Sequence, residues 1–102
     1  MSATKLLNDI KSTIEKSRYA PSAWYVGIAA DLIDRLENGH QVAGVSEMRG
    51  TPWIYGNAES DTAARRIEAW FVTVMGTDGG QGGGDHRTTY VYAYLKTRDT
   101  NP

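Results

Sequence analysis

A short apolar strand that runs directly into a helix constrains this chain more than any other stretch of its sequence. Residues 24–29 form the strand, and the helix begins at Asp31 and carries Arg35 one turn further on. Side chains alternate between the two faces of a strand. Trp24, Val26 and Ile28 therefore share one face, and Tyr25, Gly27 and Ala29 share the other. The first face is predicted to be core, whereas the second places a phenol beside open backbone within reach of Arg35.

The other predicted elements suggest an α+β fold with a small sheet. Residues 3–17 and 61–75 carry apolar side chains at helical spacing, with Ser60 as the predicted N-cap of the second helix. Residues 53–56 and 88–96 are strand-like, and the latter alternates three tyrosines with Val91, Ala93 and Leu95. We expect an antiparallel sheet of about three strands flanked by about three helices, in a single domain of residues 1–102.

Composition narrows the function classes. The chain has 102 residues, no cysteine and a net charge of -1, which excludes disulfides and thiolate metal sites. No apolar run approaches the roughly 20 residues that span a bilayer, so we expect a soluble, cytoplasmic protein without a membrane partner. The low net charge gives no global attraction to nucleic acid, and DNA binding would depend on a local cluster such as Arg35, Arg65, Arg66 and Arg87. The sequence does not predict the oligomeric state.

A glycine-rich segment follows the second long helix. Residues 76–84 contain six glycines, which leave the backbone free to approach a ligand closely. The segment lacks the lysine of a phosphate-binding P-loop and follows a helix instead of a strand, which disfavours a nucleotide-binding motif. It is either a flexible connection or a loop that orders over a substrate phosphate or a partner. His86, between Asp85 and Arg87, is either a general base or ligand, or an exposed loop histidine.

The strand and helix described first resemble the GIY-YIG nuclease domain. The residues that carry the resemblance are Tyr25-Val26-Gly27 and Arg35, which stands eight residues after the glycine. The family also has a metal-binding glutamate on a later helix, and Glu68 occupies a matching setting on the predicted helix 61–75. Glu68 lies on the flank of the apolar stripe of that helix, where a metal, Arg35 or water could compensate its charge. A rim glutamate paired with an arginine is the alternative interpretation.

This chain lacks the first strand of the family domain. The Gly-Ile-Tyr strand that opens the family domain would precede Tyr25, where this chain has a predicted helix, and the family histidine would fall on Gly39, beside His40. If the last strand pairs beside residues 24–29, it could take the place of the missing strand, and we assign Tyr92 as the replacing tyrosine. The alternative is that the tyrosines of the last strand pack beneath a helix.

The resemblance implies a metal-dependent endonuclease that acts on nucleic-acid phosphodiesters. Tyr25, Arg35 and Tyr92 would be catalytic, and Glu68 would hold Mg²⁺ or Mn²⁺. The substrate-binding residues would be Gly27, Arg66, His86 and Arg87. Two alternatives remain: a non-catalytic protein-binding module such as a phage-type inhibitor, and a module that binds a nucleotide or another small phosphate ligand. Convergence of Tyr25, Arg35 and Glu68 on one accessible concavity would favour chemistry or ligand binding over a protein-interaction module.

Overall fold

The computed structural model describes residues 3–32, 34–39, 53–80 and 86–96 of the chain. It contains two α-helices, α1 (Ala3–Lys16) and α2 (Asp61–Trp70), and a short π-helix, Asp34–Gly39. The strands are β1 (Trp24–Ala29), β2 (Trp53–Asn57), β3 (Asp78–Gly79) and β4 (Tyr90–Leu95). The predicted strand 24–29 is confirmed at both ends, and the predicted α+β class is confirmed.

The sheet has four strands in the order β2-β4-β1-β3. Strand β4 lies between β1 and β2, with Tyr92 opposite Gly27 on one side and Tyr55 on the other. It is antiparallel to both neighbours, as predicted for the sheet, whereas its pairing with β1 was predicted only as a condition. The fourth strand was not predicted: β3 pairs parallel to β1 and makes the sheet mixed. Gly76, at φ 87°, terminates the preceding helix and lets the chain turn back. A strand of two residues is too short to show an alternating pattern.

Helices α1 and α2 cover one face of the sheet. The main core combines their apolar side chains with the predicted core face of β1 and the matching face of β4. Its fully buried members include Leu6, Ile10, Ile14, Trp24, Val26, Phe71 and Val91. This arrangement fixes α2 across the sheet, so that one side of the helix turns into the protein.

The opposite face of the sheet is also buried over much of its area. Tyr25, Tyr92 and Tyr94 pack there with Leu32 and Leu36, which belong to the segment after β1. The predicted open backbone beside Tyr25 is therefore enclosed. A second, aromatic core thus lies on the face that carries the candidate catalytic residues.

Local interactions explain where the helical segments begin and end. Asp31 Oδ1 accepts a hydrogen bond from the Asp34 N–H at 3.1 Å, and Ser60 Oγ accepts one from the Ala63 N–H at 3.0 Å. Ser60 is thus the predicted N-cap of α2, and Asp31 makes the same kind of bond at the start of the segment after β1. The predicted helix 61–75 changes after Trp70 from α-helical to π-helical geometry, which continues over Phe71–Met75.

Some sequence-based predictions lie outside the residues that the structure describes. These are the environment of His40 and the part of the glycine-rich segment from 81 to 84. Across the described ranges, none of the helices has the length and apolar character needed to cross a membrane.

Candidate functional site

Two tyrosines from neighbouring strands form the floor of the candidate site. The rings of Tyr25 and Tyr92 are nearly parallel, with centroids 6.3 Å apart, and Tyr94 stacks on Tyr25 at 5.4 Å. Gly27 makes this packing possible, because a Cβ atom at that position would lie 2.6 Å from the Tyr92 Cζ atom and would collide with the hydroxyl. The glycine of the Tyr-Val-Gly tripeptide therefore makes room for the Tyr92 phenol.

Glu68 places a buried carboxylate against this cluster. The residue lies in α2 and is only 7% exposed. Burial raises the pKa of Glu68 to about 7, although the positive charges of Arg65 and Arg35 act in the opposite direction. The two guanidinium groups therefore offset the cost of burying the carboxylate only in part, and Glu68 is partly protonated near neutral pH.

The phenols respond to the same charges. Burial is the largest cause that raises the pKa of Tyr25, the carboxylates of Glu68 and Asp78 raise it further, and Arg35 opposes the change. Burial likewise raises the pKa of Tyr92, which also interacts with Tyr25, Arg35 and Glu68. Both phenols are consequently neutral at neutral pH. Tyr25, Arg35, Glu68 and Tyr92 come from four separate elements and form one electrostatically coupled group, which we call the tyrosine–glutamate cluster.

The start of the glycine-rich segment lies directly over Tyr25. A Cβ atom on Gly80 would stand 2.6 Å from the Tyr25 hydroxyl oxygen, so the backbone approaches the phenol as closely as a glycine permits. Asp78 lies opposite Tyr25 in the β1–β3 register, and its carboxylate pairs with the Lys96 ammonium at 3.2 Å. Sequence reasoning missed Asp78 and Gly80 because nothing in a glycine-rich run indicates which of its residues join a sheet.

A small cavity lies beside Arg35 at the end of β1. Its volume is about 220 Å³, and Arg35 and Arg87 both line it. The other lining residues are Ala29, Ala30, Asp31, Asp34 and Thr88. The structure therefore brings the predicted substrate-binding residue Arg87 together with Arg35. Guanidinium groups can bind a phosphate group, and here the carboxylates of Asp31 and Asp34 at the same cavity offset part of their charge.

The predicted substrate-binding residues Arg66 and His86 are not part of the tyrosine–glutamate cluster. Arg66 lines a groove between α1 and α2, together with Leu7 and Trp70, and does not contribute to the electrostatics of the cluster. A helix carries side chains on all sides, and Glu68, two residues further on, turns inward where Arg66 turns outward. His86 is an exposed residue in the turn before β4, which agrees with its interpretation as a surface histidine.

The donor set at the cluster is compatible with a hard divalent cation. Among the residues that the structure describes, no group of three or more histidines and acidic residues is close enough to hold a metal. Mg²⁺ commonly uses one or two carboxylates and completes its shell with water and substrate phosphate. Glu68 is the one carboxylate of the cluster, and it could supply such a ligand.

Comparisons with known proteins do not assign a family. No protein-family model, curated protein or solved structure is significantly similar to this chain. The resemblance to the GIY-YIG domain therefore stays a prediction from the residues that carry it. A functional assignment must rest on the geometry and charge of the cluster and the cavity.

Proposed function

We propose that the protein is a metal-dependent endonuclease of GIY-YIG type that hydrolyses nucleic-acid phosphodiester bonds. The observation that supports the proposal is the electrostatic coupling of Tyr25, Arg35, Glu68 and Tyr92, which belong to four separate elements. Arg35 also lines the cavity at the end of β1, whereas the other three side chains are buried beside it and do not line that cavity. Perturbed pKa values produced by burial and specific charge partners are concentrated at functional sites. Here the perturbed groups include Tyr25 and Glu68, which the resemblance singles out, and also Tyr92 and Tyr94.

Glu68 is the residue of the cluster that would hold a cation. Burial disfavours the ionised form of Glu68, and two arginines leave its pKa at about 7. Mg²⁺ or Mn²⁺ held by Glu68 would supply Lewis-acid stabilisation of the phosphate and would lower the pKa of the neighbouring phenols. The substrate oxygens and water would complete the coordination shell.

Each residue of the cluster then has a chemical role. Hydrolysis joins a water oxygen to phosphorus and breaks the bond between phosphorus and the leaving oxygen of the sugar. Tyr25, aided by Tyr92, would sit near the attacking water. With its pKa lowered by the cation, the Tyr25 phenol would lose its proton to solvent, and the resulting phenolate would accept the proton of the water; the leaving sugar oxygen would take a proton from solvent. Arg35 stabilises the negative charge that grows on the phosphoryl oxygens in the transition state. A phosphate in the cavity between Arg35 and Arg87 would align the substrate strand with these groups.

Cleavage of labelled single- and double-stranded DNA and RNA tests the proposal. The protein is assayed with Mg²⁺, with Mn²⁺ and with EDTA, beside the variants Arg35→Ala and Glu68→Gln. Lys16→Ala is the matched control, because this exposed cation ends α1, the helix that covers the other face of the sheet. We expect cleavage that needs the metal, is lost in both site variants and is retained in the control. Cleavage that both site variants retain would refute the proposal.

A non-catalytic module that binds a phosphate ligand is the second candidate. The cavity lined by Arg35 and Arg87 favours it, since about 220 Å³ accommodates a phosphate group without requiring any reaction. This candidate predicts that inorganic phosphate or a nucleotide, without a metal, stabilises the folded protein against unfolding. Arg87→Ala should abolish this stabilisation, and no nucleic acid should be cut.

A further inference from the structure

We propose that Trp53, Tyr55 and Tyr90 form a stacking platform for unpaired nucleobases. The inference rests on the proposed nuclease function and names its substrate class: single-stranded nucleic acid, or a strand with unpaired nucleotides next to the cleaved phosphate. We call these three residues the aromatic platform. They lie on β2, an edge strand, and on β4 beside it.

The rings of the platform form a continuous and accessible surface. Trp53 and Tyr55 stack with centroids 5.2 Å apart and an angle of 14° between the ring planes. Tyr90 adjoins Tyr55 at 6.4 Å with a tilted ring. Tyr55 is 46% exposed, and both neighbours are partly exposed. Tyr55 is therefore the ring that is most open to a ligand, and Trp53 and Tyr90 support it from the aromatic core.

The platform continues directly into the tyrosine–glutamate cluster. Trp53 lies opposite Tyr94 in the register, and Tyr55 lies opposite Tyr92. Residues directly opposite on antiparallel strands share one face of the sheet, and adjacent strands are about 4.8 Å apart. A base that stacks on Tyr55 is therefore about one strand spacing from Tyr92, on the side away from Gly27. A base at this distance would lie next to the phosphate that is hydrolysed at the cluster.

The charge of the chain favours unpaired bases over a duplex. A protein that recognises duplex DNA by its backbone neutralises several phosphates, and this chain has a net charge of -1. Base stacking on aromatic rings binds single strands without regard to sequence and needs fewer cations. Arg35 and Arg87, at the neighbouring cavity, supply local positive charge for one phosphate.

The size of the platform disfavours a protein partner. Tyr55 is about half exposed and Trp53 and Tyr90 are less exposed, so the three side chains together offer at most about 300 Å². A specific protein interface buries about 800 Å² on each partner. The platform is thus too small for a stable protein complex and large enough for one or two bases.

Binding measured without a metal separates this inference from the nuclease assignment. A fluorescein-labelled 12-nucleotide oligo(dT) strand is titrated with protein in EDTA, and its anisotropy is recorded. We expect Tyr55→Ala to weaken binding by about 5- to 150-fold, the range that follows from loss of one base–aromatic stack. Tyr55→Phe keeps the ring and should bind as the wild type does. Tyr19→Ala is the matched control, since Tyr19 is 59% exposed but lies outside the platform, between α1 and β1.

Two further ligands define the substrate class. An abasic strand of the same length should bind as weakly to the wild type as oligo(dT) binds to Tyr55→Ala, and a blunt duplex should bind more weakly than the single strand. Equal binding of oligo(dT) by wild type and Tyr55→Ala, equal binding of the abasic strand, or self-association lost in Tyr55→Ala would each overturn the inference. Tyr55-dependent binding without metal-dependent cleavage would support the platform and remove the nuclease assignment.

Discussion

Replacing the buried carboxylate of Glu68 by an amide should make the protein more stable at alkaline pH. Glu68→Gln keeps the shape of the side chain and removes its charge. Because the pKa of Glu68 is raised from 4.5 to about 7, the folded state disfavours the ionised form relative to the unfolded chain. The stability contribution of the protonated carboxyl is fully present below about pH 4.5 and is lost as the pH rises through about 7.

The size of the effect follows from the pKa change. The step from 4.5 to about 7 corresponds to at most about 3 kcal/mol. Solvent screening at a site near the protein surface reduces the expected difference to about 1–2 kcal/mol. We therefore expect Glu68→Gln to be about 1–2 kcal/mol more stable than the wild type at pH 8.5 and nearly equal to it at pH 4.5.

Urea denaturation of both proteins at pH 4.5, 6.5 and 8.5 measures this difference. Subtracting the two stability profiles cancels the contributions of the other titrating groups. In the same experiment at pH 8.5, Mg²⁺ at ten times its dissociation constant should add about 1.4 kcal/mol to the wild type and nothing to the variant. A stability difference that does not grow with pH would refute the account of Glu68 as a buried, undercompensated carboxylate.

Three further predictions concern close packing and a helix cap. Gly27→Ala should cost about 1–3 kcal/mol in urea denaturation, because its methyl group overpacks the Tyr92 ring; a neutral effect would contradict the close approach. Gly80→Ala should push the Tyr25 hydroxyl away and slow single-turnover cleavage by about 100-fold. An unchanged cleavage rate would contradict the close approach of the Gly80 backbone to Tyr25. Ser60→Ala should lower the midpoint of thermal unfolding, through loss of about 1 kcal/mol from the N-cap of α2; Ser60→Asp should restore it.

The regular elements could be predicted from the sequence because each has a local pattern. Alternation marked β1 and β4, and helical spacing with Ser60 marked the start of α2, and all three are observed. The pairing of β3 could not be predicted, since two residues carry no period and their partner lies some 50 positions earlier in the chain. The same reason hid Asp78, whose effect on Tyr25 exists only through the β1–β3 register.

The position of β4 in the sheet could be predicted from the sequence only conditionally. The sequence offered the last strand as a substitute for the missing first strand of the family if it paired beside β1, and β4 does pair there, with Tyr92 opposite Gly27. A sheet depends on which strands are adjacent, not on their order along the chain. The packing of Tyr92 against Gly27 could not be read from sequence spacing, because the two residues are joined only through the fold.

Tyr92 and Tyr94 provide an internal test of this substitution. Both are buried tyrosines on the same face of β4, but only Tyr92 interacts with Arg35 and Glu68, whereas Tyr94 interacts with Tyr25 and Asp78. Tyr92→Phe should therefore reduce metal-dependent cleavage by about 100-fold, the cost typical of one lost hydrogen-bond donor to a developing charge. Tyr94→Phe should stay within a few-fold of the wild type. If Tyr94→Phe lost cleavage and Tyr92→Phe retained it, the hydroxyl that completes the site would lie one row further along the sheet, and Tyr92 would have only a packing role.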